Sequence, residues 1–397
     1  MAAKFILGML MIPGDYSMRE AKCSYFGNCG GCSAQHILYE LQLSNSRKMV
    51  AKMMQTEEES VQVFSGNEFN YRNRMDFIVH KGGLGLRKKG QWDKIVDIEE
   101  CSIAMPEINV LLAEIRKFLL DIEIGIDYFD LHKQTGSMKY CLIRVTKSGD
   151  SSVAFCLNED SNYLKEAIET VKEYAKLSSA NNVLINYQPK KTDQSVSLNY
   201  FVCKGVDLLH EKLLDYNYYY SVQGFFQNNP EMAEKLVKYV KDIFSKYEGT
   251  KETQLLDLYG GVGTFGVALA DMFEKVFIME LFAPSIDLAK KNIESNKLSN
   301  VEALVGDVKQ FRKLGFDSNK KTYVLVDPPR SGIVPKALVR LKELAPKVLV
   351  YVSCNPKQLA KDLVRLRSWG YTLKSTALFD LFPQTPHMEV VVELVRE

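Results

Sequence analysis

The second half of the chain sets the tightest constraint on the fold. After about residue 216, five short aliphatic runs (LLDLYG, KVFIME, VEALVG, YVLVDPP and KVLVYVSC) each end in a polar residue or glycine. Stretches with helical spacing separate them, near 230–247, 264–273, 284–297, 335–344 and 356–368. Strands that are apolar almost throughout are buried on both faces, and their alternation with helices predicts a parallel sheet covered on either side, an α/β fold. Ligands bind such sheets beyond the carboxyl ends of the strands, so the residues that close the strands matter most. A last run, MEVVVELV, follows WGYTLKSTALF and is expected to close the sheet as an antiparallel pair.

Upstream the texture changes. From about 61 to 215, runs such as MDFIVH, GLGLR, KIVDI, YCLIRV, SVAFCL, VLINY and SLNYFVC are separated by Gly, Asn, Asp and Ser. That punctuation predicts a mostly antiparallel β domain with two helices, near 105–120 and 161–177. Residues 34–54 read as one amphipathic helix that packs on the C-terminal domain, and TEEES at 56–60 as a solvated loop. A chain of 397 residues accommodates two such domains, 1–215 and 216–397. With 46% apolar and 25% charged residues, bulk disorder is excluded. No run approaches the roughly 20 apolar residues of a membrane span. Phe5–Ile12 imitates a secretory core but lacks a small-residue cleavage site, so a cytoplasmic protein is expected; a monomer is expected as well.

Eight cysteines are too sparse for a disulfide framework in a cytoplasmic chain. Cys141, Cys156 and Cys203 sit inside β-like runs and read as small core residues. Cys23, Cys29 and Cys32 cluster, with Cys101 further on. Four thiols suit tetrahedral zinc or a [4Fe–4S] cluster, and spacing does not choose between them.

The strand ends carry two constellations. In the first, Asp257 closes a strand and Gly260, Gly261 and Gly263 follow in a turn before a helix. Glycines permit positive φ and close approach of a ligand. The next two strands end at Glu280 and before Asp307, placed to accept ribose hydroxyls and an adenine amino group. This order resembles the S-adenosylmethionine site of class I methyltransferases. Phosphate is disfavoured, because no Gly-Lys-Ser/Thr occurs and the carboxylates would repel it. In the second constellation, Asp327-Pro328-Pro329-Arg330 closes the fourth strand, Ser353-Cys354-Asn355-Pro356 the fifth, and Glu389 opens the last. The prolines stiffen the turn that fixes Asp327. Arg330 stands where amino-group methyltransferases usually carry an aromatic. A cysteine at a strand end and helix N-terminus is expected to have its thiolate stabilised by backbone donors. Such a thiolate can add to C6 of a uracil, making C5 nucleophilic enough to take a methyl group. A base such as Glu389 then removes the C5 proton.

Together SCNP, DPPR, PHMEVV, LDLYGGVGTFG and the upstream SVQGFFQNN resemble the RNA uridine-C5 methyltransferase family, from Cys23 to the C-terminus. The resemblance implies a C-terminal class I, Rossmann-like S-adenosylmethionine domain and an N-terminal α+β domain carrying an iron–sulfur site. By position, Cys354 would be the nucleophile, Glu389 the base and Asp327 a contact to the uracil edge. Gln227 would line the pocket, and Asp257, Tyr259, Gly260, Gly261, Glu280, Asp307 and Asp327 would hold the cofactor. Gly260 stands where relatives often have a small polar residue or Cys. The DPPR motif lacks a cysteine, which favours uridine over cytosine. Cys23, Cys29, Cys32 and Cys101 would ligate a [4Fe–4S] cluster of structural role.

The implied partner is RNA, with neither DNA nor membrane. FGNCGGCSAQH, RKKGQWDKIVDIEEC and DLFPQTPHMEVV most resemble the branch acting on tRNA at T-loop uridine 54, with large ribosomal RNA the alternative substrate. A net charge of +2 excludes blanket basicity, so RNA contacts must be local: residues 81–94 with Trp92, Tyr71–Arg74, and Lys336–Arg367. Salt is expected to weaken such binding steeply. Many relatives carry an N-terminal β-barrel module; the 22 residues before Cys23 are too few for one, with PGD at 13–15 read as a vestige. The rival of another class is a noncatalytic iron–sulfur RNA-binding or redox-sensing protein, which leaves the intact Cys354, Glu389 and Asp327 unexplained.

Overall fold

The computed structural model describes residues 18–122, 125–313, 316–317 and 319–396. The segment Phe5–Ile12 and the PGD fragment lie outside the described residues. Two large sheets organise the chain. The first has seven strands: β2 (Arg74–His80), β3 (Gly83–Lys88), β4 (Gln91–Asp97), β5 (Met138–Val145), β6 (Ser151–Asn158), β7 (Asn182–Gln188) and β8 (Tyr200–Lys204), in the order β4-β3-β2-β5-β6-β7-β8. Its pairings are antiparallel except β6 with β7, which α3 (Leu164–Leu177) connects in parallel. Helices α2 (Pro106–Leu120) and α3 cover one face, burying Ile108, Leu112, Ile115 and Val171 against Phe77, Ile143 and Val153.

The second sheet has eight strands: β1 (Val61–Phe64), β11 (Gln254–Leu258), β12 (Lys275–Glu280), β13 (Val301–Val305), β14 (Thr322–Val326), β15 (Val348–Ser353), β16 (Tyr371–Phe379) and β17 (Glu389–Arg396). Their order is β1-β16-β17-β15-β14-β11-β12-β13, with β17 antiparallel to both neighbours. The five predicted aliphatic runs are β11 to β15, and successive residues of each feed opposite faces. Leu255, Leu325 and Val350 point to a core with α4 (Pro230–Ser245), α5 (Thr264–Ala268) and α6 (Ala283–Ser295). Leu256, Val324 and Leu349 point to one with α1 (Tyr39–Met54), α7 (Pro335–Leu344) and α8 (Pro356–Ser368). The first core also takes in Leu142, Ala154 and Leu184 from the seven-stranded sheet, so one apolar layer joins the two sheets. The hairpin β9 (Leu209–Leu213) and β10 (Tyr216–Tyr220) lies in the same layer through Leu209, Tyr218 and Tyr220.

Three details depart from the sequence reading. The run VQVF, read with the antiparallel domain, is β1 and pairs in parallel with β16 at the edge of the other sheet. Four residues carry too little pattern to name their partner. The helix expected over 34–54 begins only at Tyr39, because the chain before it is held in loop hydrogen bonds, including those from Ser33 and Ala34 to Gln384. Cys141 and Cys156 are buried, but Cys203 is only half-buried, since β8 is an edge strand. Among the described residues no helix is long and apolar enough to cross a membrane.

The contact of α5 with the sheet is close. A Cβ on Gly266 would collide with Ile278 and lie 3.0 Å from Asp257 Oδ2. Gly266→Ala is therefore expected to cost about 1–3 kcal/mol through overpacking. It should lower the urea midpoint without changing the slope, and a variant as stable as the parent would contradict this packing.

Candidate active site

In the eight-stranded sheet the chain leaves β11 toward β12 and β13 on one side, while β14 and β15 lie on the other. Such a reversal opens a crevice at the carboxyl ends of the strands. After β11 the backbone turns through left-handed conformations at Tyr259 (φ +64°), Gly261 (φ +55°) and Gly263 (φ +87°). Gly260 N–H donates to Met279 O at 3.0 Å and Gly263 N–H to Gly260 O at 2.8 Å. Asp257 is fully buried; its Oδ2 accepts from Gly266 N–H at 2.8 Å and its Oδ1 has no partner. Burial raises its pKa to about 7, opposed by the Gly266 donor and reinforced by Glu280. Glu280 closes β12 with Oε1 accepting from Phe282 N–H at 3.0 Å. Asp307 lies just beyond β13, held below the usual carboxylate range by the N–H and then the ammonium of Lys309.

The second constellation converges beside the first. Asp327 N–H donates to Leu258 O at 3.3 Å, placing this half-buried carboxyl next to the end of β11. Ser353 pairs with Val390 in the antiparallel register, so Cys354 and Glu389 are the facing residues at the site end of β15 and β17. Asn355 caps α8 by accepting from Gln358 N–H and donates to Arg330 O at 2.8 Å, fastening the SCNP turn to the DPPR turn. Glu389 is 4% exposed and its Oε1 has no partner. Burial pushes its pKa well up, Asp327 adds to this, and Arg330 opposes it. Asp327 is raised to about 7 by burial and then by Asp257.

The thiolate expected at Cys354 is not stabilised in this environment. Its pKa is raised to about 11, first by burial, then by Glu389 and Asp327, against which Arg330 and its own N–H act in vain. The helix N-terminus contributes partial charges, whereas the two carboxyl groups bring full ones. Sequence reasoning also missed what surrounds the site. Arg330, read only as a missing aromatic, is the cation whose charge opposes the upward shifts of both Cys354 and Glu389, and its Nη2 donates to His387 Nδ1 at 2.8 Å. Gln227 is buried, with its carbonyl held by Asn73 Nδ2 at 3.3 Å, while Phe225 beside it is 68% exposed. The pair of aromatics just before Gln227 was the available signal for Phe225.

Comparison with known proteins now bears on this geometry. The sequence model of the family described as tRNA (uracil-5-)-methyltransferase matches residues 38–397. The chain belongs to that family. A tRNA (uracil(54)-C(5))-methyltransferase of Pyrococcus horikoshii is 33% identical over 377 residues, covering 94% of this chain and 86% of the relative. Its counterpart from Pyrococcus abyssi is 32% identical over 375 residues, covering 94% and 85%. The crystal structure of the Pyrococcus abyssi tRNA (uracil-54, C5)-methyltransferase in complex with S-adenosyl-L-homocysteine superimposes with a TM-score of 0.76 at 30% identity, covering 93% of this chain and 86% of that one.

In this tRNA (uracil-5-)-methyltransferase family member, Cys23, Cys29, Cys32 and Cys101 line one cavity with Tyr25, Gln35, Met75 and Ile98. Burial raises the thiols of Cys29, Cys32 (to about 12) and Cys101, and neighbouring cysteines raise them further. Hydrogen-bond donors oppose this: Gly31 N–H to Cys29, Gln35 to Cys32, Ile103 and Ala104 N–H to Cys101. Among the described residues, however, no three His, Cys, Asp or Glu side chains are arranged to hold a metal ion.

The basic tracks are less free than their composition suggests. Trp92 is 64% exposed, but Arg87 pairs with Asp193 at 2.8 Å. Tyr71 and Asn73 are buried and Arg74 pairs with Asp76, so Tyr71–Arg74 is largely structural. Arg367 donates to Met54 O, and Arg340 pairs with Glu343.

Proposed function

We propose that this chain methylates C5 of a uridine in RNA with S-adenosylmethionine as donor, and that the target is tRNA uridine 54. The observation that carries the reading is the facing placement of Cys354 and Glu389 on β15 and β17, with Asp327 and Arg330 close enough to shift both. The names of the Pyrococcus relatives support tRNA over ribosomal RNA. Residues 1–215 are read as the RNA-holding domain and 216–397 as the catalytic one.

The cofactor fits the residues at the ends of β11 to β13. The unpartnered Asp257 Oδ1 offers a buried acceptor, and a Cβ on Gly261 would meet nothing within 4 Å, so the turn is open on that side. Glu280 keeps one carboxylate oxygen for ribose hydroxyls; Phe282 (40% exposed) and Val305 (50%), the latter paired with Glu280, offer apolar surface to adenine. Tyr259, Gly260 and Asp307 complete the set. When bound, the cofactor supplies an electrophilic methyl group on a sulfonium. The target uridine must leave its stack to reach the strand ends, where Phe225 offers a ring face and Gln227 a buried amide. Cys354, which is partly exposed, releases its proton to solvent and its sulfur bonds to C6, moving an electron pair to C5 and O4. Asp327, with a pKa near neutrality, can donate to or accept from the uracil edge. After C5 has taken the methyl group, Glu389 takes the C5 proton, and that electron pair expels the Cys354 thiolate. The ring double bond is restored.

The thiol pocket is read as the seat of a [4Fe–4S] cluster held by Cys23, Cys29, Cys32 and Cys101. Four thiols lining one cavity supply the number of ligands such a cluster takes. Its role would be to hold the surrounding loops together. Anaerobically purified protein should be brown and contain iron; colourless protein with stoichiometric zinc would refute it.

The functional reading is tested with methyl-labelled cofactor and unmodified tRNA or large-subunit ribosomal RNA, followed by nucleoside mass spectrometry. Labelled 5-methyluridine in tRNA is the expected product. The same product in ribosomal RNA alone would keep the chemistry and overturn the substrate. The thiol titration makes a further prediction. Only the thiolate alkylates, and a pKa of about 11 leaves it a minor species throughout the neutral range. Without cofactor, the iodoacetamide rate at Cys354, followed by peptide mass spectrometry, should rise about tenfold per pH unit between pH 7 and 9. A rate that levels off below pH 8 would contradict the environment described above.

A further inference from the structure

The connection between β16 and β17 delivers Glu389 to the site, and its apex is tied down by residues far away in sequence. Gln384, within it, is fully buried and has φ +70°, a left-handed conformation that a non-glycine residue keeps only where its surroundings fix it. Its carbonyl accepts from Ser33 N–H at 2.9 Å and Ala34 N–H at 3.2 Å, both directly after Cys32. Its Oε1 accepts from Gln42 Nε2 of α1 at 3.1 Å, and its Nε2 donates to Glu68 Oε2 at 2.9 Å. The preceding Pro383 O accepts from the buried Tyr71 hydroxyl at 2.9 Å.

These bonds run on in both directions. On one side Gln35, next in the cysteine-rich loop, accepts from Cys23 N–H at 3.0 Å and donates to Cys32, while Arg19 joins Gln35 O to the Glu68 carboxylate. On the other, Thr385 Oγ1 accepts from His387 N–H at 3.2 Å, and His387 Nδ1 accepts from Arg330. Glu389 Oε1 has no partner, so the place of the carboxyl depends on the backbone that delivers it.

We infer that Gln384 is a positioning residue: through it the cysteine-rich loop and α1 hold the β16–β17 connection in the conformation that presents Glu389 to the C5 proton. This rests on the role proposed for Glu389. In that reaction the sulfur–C6 bond and the C5–methyl bond form first, and only then does the C5 proton pass to Glu389 as the sulfur leaves. A displaced base therefore spares the first two steps and stalls the third, so RNA stays joined to Cys354.

The test compares Gln384→Gly, Gln384→Asn and Glu389→Gln in the full-length protein with tRNA and S-adenosylmethionine. Gln384→Gly keeps the left-handed backbone accessible but removes both side-chain bonds. It should bind cofactor as the parent does, lose about 10- to 100-fold in kcat, the scale on which misplacement of a reacting group acts, and accumulate a denaturant-resistant RNA–protein adduct. Gln384→Asn, which tolerates the left-handed region and retains an amide, should recover part of kcat and show less adduct. Should Gln384→Gly fail to bind cofactor, Gln42→Ala, which removes the bond to Gln384 together with those to Ala34 O and Ile37 O from a half-buried helix position, carries the test and should shift kcat and adduct in the same direction. Parental kcat, or lost kcat without adduct while Glu389→Gln does form it, would overturn the inference and leave Gln384 a structural residue. Absence of adduct from Glu389→Gln itself would instead overturn the reading of Glu389, and the inference with it.

Discussion

Cys354→Ala is expected to lower methyl transfer by on the order of 10⁴-fold or more, the range in which loss of a covalent nucleophile acts. The reason is electronic. Without a thiolate at C6 the uracil ring has no carbanion character at C5, and no neighbouring residue can supply it. Cofactor affinity should stay at the parental value, because Asp257, Glu280 and Asp307 stand at the ends of β11 to β13, whereas Cys354 closes β15. Isothermal titration with S-adenosyl-L-homocysteine and a labelled-methyl assay on the same preparation separate the two effects. Undiminished turnover in the variant would remove the covalent route. Cys354→Ser should fail as fully, since a hydroxyl with two carboxyl neighbours ionises even less readily than the thiol.

Glu389→Gln should lower kcat by roughly 10²- to 10⁴-fold, the usual contribution of a positioned general base. It should also trap the methylated RNA on Cys354. The amide retains the shape of the carboxyl but cannot accept the C5 proton, so elimination stalls after both new bonds have formed. A band resistant to denaturant, labelled by the methyl group and absent from the Cys354→Ala, Glu389→Gln double variant, is the expected result. The sign of the pH dependence follows from the raised pKa of Glu389. A carboxyl held above its ordinary value is protonated, and useless as a base, on the acid side, so parental product release rises with pH as the proton is lost. The residual rate of the Gln variant should lack that limb. A variant that releases 5-methyluridine at the parental rate would assign the proton to another group.

Much of this was legible in the chain itself. The five aliphatic runs became β11 to β15 because a strand buried on both faces has no polar alternation to offer, and helices of period 3.6 between them leave few topologies. Residues that close those strands could be named because the parallel arrangement brings all carboxyl ends to one edge. The pairing of β1 with β16 was not legible, since a four-residue strand at a sheet edge has no pattern that selects a partner. Nor was the structural use of Tyr71, Asn73 and Arg74, where a run that looks like an RNA contact is drawn inward by Pro383 and Gln227 and, within β2 itself, by Asp76.

By itself, then, the sequence determined the kinds of group at the site: a thiol, carboxyls, a guanidinium and a glycine turn, each at the end of a strand. Only the tertiary structure decided their protonation and their tethering. Cys354 was expected as a thiolate on local grounds, yet burial together with Glu389 and Asp327, which reach it from other strands, sets its proton affinity. Gln384 reads as an unremarkable loop residue, yet its hydrogen bonds all come from segments more than three hundred positions away. Electrostatic fields and hydrogen bonds act through space, so they become readable only when the fold has brought distant segments together.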